Sequence, residues 1–213
     1  ETELKMVSMS HVGNLDGVEI PVKDITKIAK DYGALVSIDG AQSAPHMSVD
    51  VQDLGIDFYS FSIHKMLGPS GMGGLWGKTE LLEKMRTIQS GGQTVKTSTY
   101  ESLEWAKPPS KFEGGLGHFA GMMATGAAIE YLTELDMNEV HAHEQSLNRI
   151  MSEGVKDLPG VSIIGPEDAS KRSGICSLLL DDKLPSHDIA LLLDEVSGVM
   201  VRSGQHCVHS WFN

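Results

Sequence analysis

The apolar positions of this chain follow two regimes. Through the first two-thirds, short apolar runs alternate with stretches whose apolar residues recur at helical spacing. Met6–Met9 predicts a strand. Pro21–Tyr32 predicts a helix through Val22, Ile25, Ile28 and Ala29, with Gly33 just past its end as the usual helix-ending glycine. Ala34–Ile38 is almost wholly apolar, the pattern of a parallel strand covered on both faces. Asp57–Phe61 and Gly74–Gly77 predict two more strands. This repetition implies an α/β fold built on a doubly wound, mostly parallel sheet with right-handed crossovers. Gly91–Gly117 has loop composition (Gly91-Gly92, Pro108-Pro109, Gly114-Gly115), and long loops in compact domains are usually functional. Phe119–Leu132 reads as a helix packed with Ala and Gly, suited to close contact. Val140–Leu158 reads as a helix amphipathic through Leu147, Ile150, Val155 and Leu158.

Beyond that point the pattern changes. Val161–Ile164, Ile175–Leu180 and Val199–Arg202 predict strands, and Ser186–Val196 a helix with Ser186 as N-cap and Asp188 in the first turn. The expected division is therefore a large domain over 1–136 and part of a small α+β domain over 137–213. The chain opens at Glu1 without Met and stops at Asn213 just after an aromatic-rich run, so it reads as a piece of a longer protein.

Composition narrows the function classes. Seventeen Lys and Arg against 29 Asp and Glu leave a net charge of −12 with no basic cluster. That balance argues against sequence-independent binding of nucleic acid or of anionic membranes. No apolar run reaches the roughly 18 residues of a membrane span, and no signal-peptide pattern is present. With two cysteines, Cys176 and Cys207, free thiols in a reducing cytoplasm are expected.

Candidate chemistry gathers at strand ends. Asp39 closes the apolar run Ala34–Ile38, and ligands of open α/β sheets bind outside such ends. Alone, that aspartate reads as a cap on the next turn. The following strand ends in Ser62-Ile63-His64-Lys65, which offers a hydroxyl, an imidazole and an amine. If the two strands are neighbours, one crevice holds a carboxylate, two hydrogen-bonding groups and a lysine. Pyridoxal 5'-phosphate (PLP) enzymes need that set: a lysine to hold the cofactor as a Schiff base and an acid to keep the pyridine nitrogen protonated. Ser62 and His64 suit the phosphate, and Gln42 suits the phenolic oxygen. Gly68-Pro69-Ser70-Gly71 lacks the Lys-Ser/Thr ending of a P-loop and reads as a turn. Cys207 stands among polar loop residues beside Arg202, His206 and His209, cations that favour a thiolate. Cys176, in an apolar run, reads as a buried structural cysteine. His206, Cys207 and His209 are too few ligands for a structural zinc, so no metal is expected. His141 and His143 lie two apart on a helix and read as solvated.

Asp39-Gly40-Ala41-Gln42 and Ser62-Ile63-His64-Lys65 together resemble the class V aminotransferase-like PLP family, whose fold is that of the fold-type I PLP-dependent transferases. Within it, Val201-Arg202-Ser203-Gly204-Gln205-His206-Cys207 looks like the segment that bears the active cysteine of SufS-like (type II) cysteine desulfurases. His11-Val12-Gly13-Asn14 and Phe112-Glu113-Gly114-Gly115 match in the same order. The resemblance implies that Lys65 holds the cofactor and shuttles a proton, that Asp39 pairs with the pyridinium, and that Gln42, Ser62 and His64 complete the cofactor site. It places Asn14 near ring and substrate, Arg202 near the Cys207 loop or the substrate, and makes Cys207 the acceptor of sulfur from L-cysteine, with L-alanine released. A homodimer and a sulfur-acceptor protein feeding iron–sulfur cluster assembly are implied as well. Leu116 stands where the family commonly has a threonine that contacts phosphate across the dimer, leaving the backbone N–H groups of Gly115 and Gly117 as substitutes. The family chain is roughly twice this long, so the N-terminal half with a ring-stacking histidine, and the end with a carboxylate-binding arginine, are missing. This piece alone is expected not to turn over cysteine. The rival readings are another class V reaction (transamination, selenocysteine lysis, kynurenine hydrolysis) and a non-catalytic scaffold descended from such an enzyme.

Overall fold

The computed structural model describes residues 4–181 and 185–213 and divides into two units. The first comprises the described residues up to Ser10, Pro21–Pro45 and Val49–Leu135. Its elements are strand β1 (Met6–Ser10), helix α1 (Val22–Asp31), strands β2 (Leu35–Asp39), β3 (Phe58–Ser62) and β4 (Gly73–Gly77), helix α2 (Thr79–Lys84), strands β5 (Val95–Ser98) and β6 (Leu103–Trp105), and helix α3 (Phe119–Glu134).

β1 to β4 form one sheet in chain order. β1, β2 and β3 are parallel, with Ser10 opposite Asp39 and Asp39 opposite Ser60. β4 departs from the parallel expectation. It runs antiparallel to β3, Phe58 facing Gly77 and Ser62 facing Gly73, because the connection over 63–72 is shorter than the dozen or so residues a parallel crossover needs. The core follows the apolar pattern. Val36, Ile38 and Ile56 are fully buried, and α1 lays Val22, Thr26 and Ala29, spaced four and three apart, onto β2. Gly33 (φ 71°) ends α1 as expected.

Two expectations change in this unit. Residues 91–117 are not structureless: β5 and β6 pair as an antiparallel hairpin, whose strands are too short, at four and three residues, for a periodicity to mark them. In α3, Gly121 does allow close contact, since a β-carbon there would lie 2.7 Å from the Met72 sulfur, whereas Gly126 faces open space.

The second unit comprises His11–Ile20, His46–Ser48 and the described part of Asp136–Asn213. It contains helix α4 (Met137–Val155), the antiparallel strands β7 (Val161–Ile164) and β8 (Ser177–Leu180), helix α5 (Ser186–Ser197) and the short helix α6 (His209–Phe212). Asp136 caps α4 by accepting the Asn138 N–H at 3.0 Å. The face that α4 buries is polar. Asn148 donates to the carbonyls of Ser173 and, at 3.0 Å, of Ile175, and Ser152 accepts from the fully buried Arg172 at 2.7 Å. Leu147 and Ile150, expected inside, are 52% and 59% exposed. The irregular segment 172–175 presents carbonyls and the Arg172 Nη2 group, which Asn148 and Ser152 can bond where leucine cannot, while Nε and Nη1 of Arg172 are buried without a partner among the described residues. Val199–Arg202 is not a strand, having no ladder partner among the described residues. Pro185 rather than Ser186 occupies the N-cap of α5, while Asp188 keeps its first-turn place. His141 is not free in solvent: its Nε2 lies 3.4 Å from Glu19. Among the described residues, no helix is long and apolar enough to cross a membrane.

Candidate active site

The end of β2 delivers Asp39 into a tight turn. Its Oδ1 accepts the Ala41 N–H at 2.8 Å, so the side chain does cap the next turn, and Oδ2 carries no further bond among the described residues. The turn is pinned to the neighbouring strand, because the Gly40 N–H donates to the Ser60 carbonyl at 2.7 Å. Glycine is required at position 40. A β-carbon there would lie 2.0 Å from Tyr59 Cζ, because the buried Tyr59 ring lies flat on that backbone. The Tyr59 hydroxyl meets Ser43 Oγ at 2.7 Å, and Ser43 N–H returns to the Gly40 carbonyl at 3.1 Å. Burial pushes the Tyr59 phenol up to about 12, with Ser43 acting against that rise and Asp39 adding to it, so the hydroxyl stays protonated at working pH. Tyr59 and Ser43 were not singled out from sequence. The available signal was a tyrosine inside an apolar strand, whose hydroxyl needs a partner once buried. Gln42 sits half-buried in the same turn.

β3 ends at Ser62 and passes into a 3₁₀ turn, Ile63–Lys65. Because β2 and β3 are adjacent and parallel, their C-terminal ends fall on one edge of the sheet, and the strand-end carboxylate of Asp39 shares that edge with Ser62. The turn bearing His64 and Lys65 is anchored on both sides. Ile63 is buried, donates to the Met72 carbonyl at 3.1 Å and accepts from Met66 and Gly68. Gly68 is pressed against Ile63, where a β-carbon would stand 2.3 Å from Cγ2, and Leu67 before it adopts φ 62°. Ser62 and Lys65 are half-buried and His64 is exposed. These groups thus stand on a rigid frame, open to a ligand.

Behind them, Asp57 is 3% exposed in its side chain and bridges Lys30 and Lys78 (2.8 Å), while also accepting the Val36 N–H at 2.8 Å. Burial raises its pKa, and the two lysines with the Val36 N–H outweigh that effect, leaving the carboxyl below its ordinary value.

In the second unit, Asn14 and Cys207 come together through one contact. Asn14 Nδ2 donates to the His206 carbonyl at 2.7 Å. Cys207 is exposed, and both His206 (φ 48°) and Cys207 (φ 66°) occupy the left-handed region. Side-chain-bearing residues rarely adopt that conformation, and it concentrates at functional sites. Arg202 is exposed in the same segment, and His209 opens α6. Cys176 lies just before β8, half-buried rather than buried, 3.9 Å from Ser152 Oγ. His11 is buried with Nδ1 unpartnered, and that burial lowers its pKa. At Leu116, 83% exposed, the expected substitute donors are reduced by one: the Gly115 N–H is bonded to the Gly92 carbonyl at 2.8 Å.

The donor set fits PLP: a carboxylate at one strand end, a hydroxyl, imidazole and amine at the next, and between the two strands the Gly40 turn pinned to Ser60.

A family model, Aminotransferase class-V, matches residues 1–213. The chain is 42% identical over 203 residues to the probable cysteine desulfurase of Halalkalibacterium halodurans, covering 95% of this chain and 49% of that protein. It is 40% identical over 207 residues to probable cysteine desulfurase 2 of Mycobacterium leprae, covering 97% of this chain and 49% of that protein. The chain therefore spans about half the length of the curated relatives it matches. Among solved structures, it is similar to the apo form of a cysteine desulfurase from Thermococcus onnurineus (TM-score 0.90, 35% identity, 96% of this chain and 51% of that one). The S-sulfonic acid form of the cysteine desulfurase CsdA of Escherichia coli is also similar (TM-score 0.87, 32% identity, 95% and 49%).

Proposed function

The chain belongs to the class V aminotransferase family, and on that premise we propose that the whole protein is a PLP-dependent cysteine desulfurase of the SufS-like type. It takes sulfur from L-cysteine onto Cys207 as a persulfide and releases L-alanine. In the substrate the carbon–sulfur bond breaks, and a sulfur–sulfur bond forms at Cys207. PLP, when bound, supplies the electron sink that this bond cleavage needs. Lys65 holds the cofactor and carries the substrate's α-proton. Asp39 faces the pyridine nitrogen, Gln42 the phenolic oxygen, and Ser62 and His64 the phosphate. Asn14 and Arg202 serve the substrate. The observation that carries the reading is the state of the two thiols. Cys207 is exposed on two successive left-handed residues, a conformation that concentrates at functional sites, while Cys176 is half-buried beside Ser152. The persulfide sulfur then passes to an acceptor protein for iron–sulfur cluster assembly, and the enzyme works as a cytoplasmic homodimer.

The test uses the full-length protein with L-cysteine. Alanine should appear together with a persulfide that alkylation and mass spectrometry locate on Cys207. Lys65→Ala should abolish both products, and Cys207→Ala should abolish sulfur release by at least two orders of magnitude. Sulfur release that survives Cys207→Ala would sink the proposal.

A further inference from the structure

The left-handed pair His206–Cys207 persists only if its surroundings hold it, and few contacts do. Within the segment, the Val208 N–H donates to the Gln205 carbonyl at 2.9 Å and closes a turn around the pair. Among the described residues, one hydrogen bond ties 200–207 to a residue distant in sequence, and it is the bond from Asn14 Nδ2 to the His206 carbonyl, across 192 positions.

Asn14, by contrast, stands on a fixed base. The Gly13 N–H donates to the Val18 carbonyl at 2.9 Å, and the Gly17 N–H to the Gly13 carbonyl at 3.1 Å. Asp16 Oδ1 accepts the Val18 N–H at 3.1 Å, and Leu15 is buried. The Gly17 carbonyl in turn accepts the Ser173 N–H at 2.8 Å, which fastens the turn to the body of its unit. A rigid donor thus grips the peptide bond that leads into the thiol-bearing residue.

We infer that Asn14 is a positioning residue for the nucleophile: its amide holds the His206–Cys207 peptide in the left-handed conformation and so sets where the Cys207 thiol is presented. This rests on the reading of Cys207 as sulfur acceptor. It differs from a contact with cofactor or substrate, because it acts on the peptide bond that leads into Cys207. One N–H and the carbonyl oxygen of the Asn14 amide remain for a ligand, so the two roles are separable by experiment.

The experiment compares the full-length protein with Asn14→Ala, which removes the amide, and Asn14→Asp, which keeps the size but has no N–H to donate. Asn14 is exposed, so neither change opens the core. Amide hydrogen exchange over residues 204–208 is read without substrate, and kcat and KM for L-cysteine are read separately. The Val208 amide, the one N–H of 204–208 bonded among the described residues, should exchange about five- to tenfold faster in both variants, the factor for losing one ordinary hydrogen bond. In both, kcat should fall several-fold, while any rise in KM reports the separate substrate contact of Asn14. Unchanged exchange over 204–208 in both variants would overturn the inference and leave Asn14 a ligand contact alone. Should the wild-type protein release no alanine from cysteine, the desulfurase reading fails, yet the exchange comparison still decides the tether.

Discussion

Replacing Gly40 with alanine puts one methyl group where the Tyr59 ring already lies. The new β-carbon would stand 2.0 Å from Cζ, 2.1 Å from Oη and 2.5 Å from Cε2. Carbon pairs settle at about 3.5–4.0 Å, so ring or turn must move by roughly 1.5 Å. Neither moves freely. The ring is 4% exposed with its hydroxyl on Ser43 at 2.7 Å, and Gly40 is bonded to Ser60 at 2.7 Å. Overpacking of this kind costs about 1–3 kcal/mol, and the upper end applies where both sides are held. Breaking the Tyr59–Ser43 bond to make room adds about 1 kcal/mol. Urea unfolding of the full-length protein should show the loss as a lower midpoint at constant slope. Tyr59→Ala alone should cost about 3–5 kcal/mol through its cavity. The double variant Gly40→Ala/Tyr59→Ala should cost less than the sum by about 1–3 kcal/mol, since the methyl then enters vacated space. Additivity within about 0.5 kcal/mol would refute the claim that ring and glycine are in contact. On the proposed function, Gly40→Ala should also weaken PLP binding, because the displaced turn carries Asp39 and Gln42.

The buried carboxylate of Asp57 has a folded pKa below its ordinary value. Its stabilisation is therefore whole above the unfolded value of about 3.9 and drains as pH falls through the lower folded value. Asp57→Asn should lose about 1–2 kcal/mol at neutral pH, since the two lysines left behind are partly solvated, and should flatten the acid limb of the stability curve, so an unchanged slope below pH 4 would contradict the pairing with Lys30 and Lys78. His11 is buried with its pKa lowered, so the folded state holds it neutral. Its stabilisation is complete above the unfolded value of about 6.5 and is lost progressively as pH falls below it. His11→Gln should reduce the pH dependence of unfolding below about pH 6.5, and a wild-type profile in that variant would remove His11 from the account.

How much of this was legible before folding differs from element to element. β7 was read to the residue, and β2 and α1 to within a residue or so at each end, because apolar periodicity reports which face meets a core. The β5–β6 hairpin escaped notice because its strands span only four and three residues, too short for a periodicity to show. In α4 the periodicity pointed to Leu147 and Ile150, yet Asn148 and Ser152 are buried. Which face turns inward there depends on carbonyls and a guanidinium from residues 172–175, and no window along the helix contains them.

The sequence by itself determined the local ingredients: an aspartate at the end of one apolar strand, Ser62 to Lys65 after another, and a cysteine in a polar loop. These follow from chain-local patterns of burial and turn chemistry. Only the tertiary structure decided that β2 and β3 lie side by side in parallel, so that Asp39 and Ser62 share an edge. It alone laid the Tyr59 ring on Gly40 and closed the Asn14–His206 bond across 192 positions. Such facts are set by pairing between distant segments, where the gain comes from excluding water and satisfying backbone groups jointly, and a single stretch of chain carries no record of its partner.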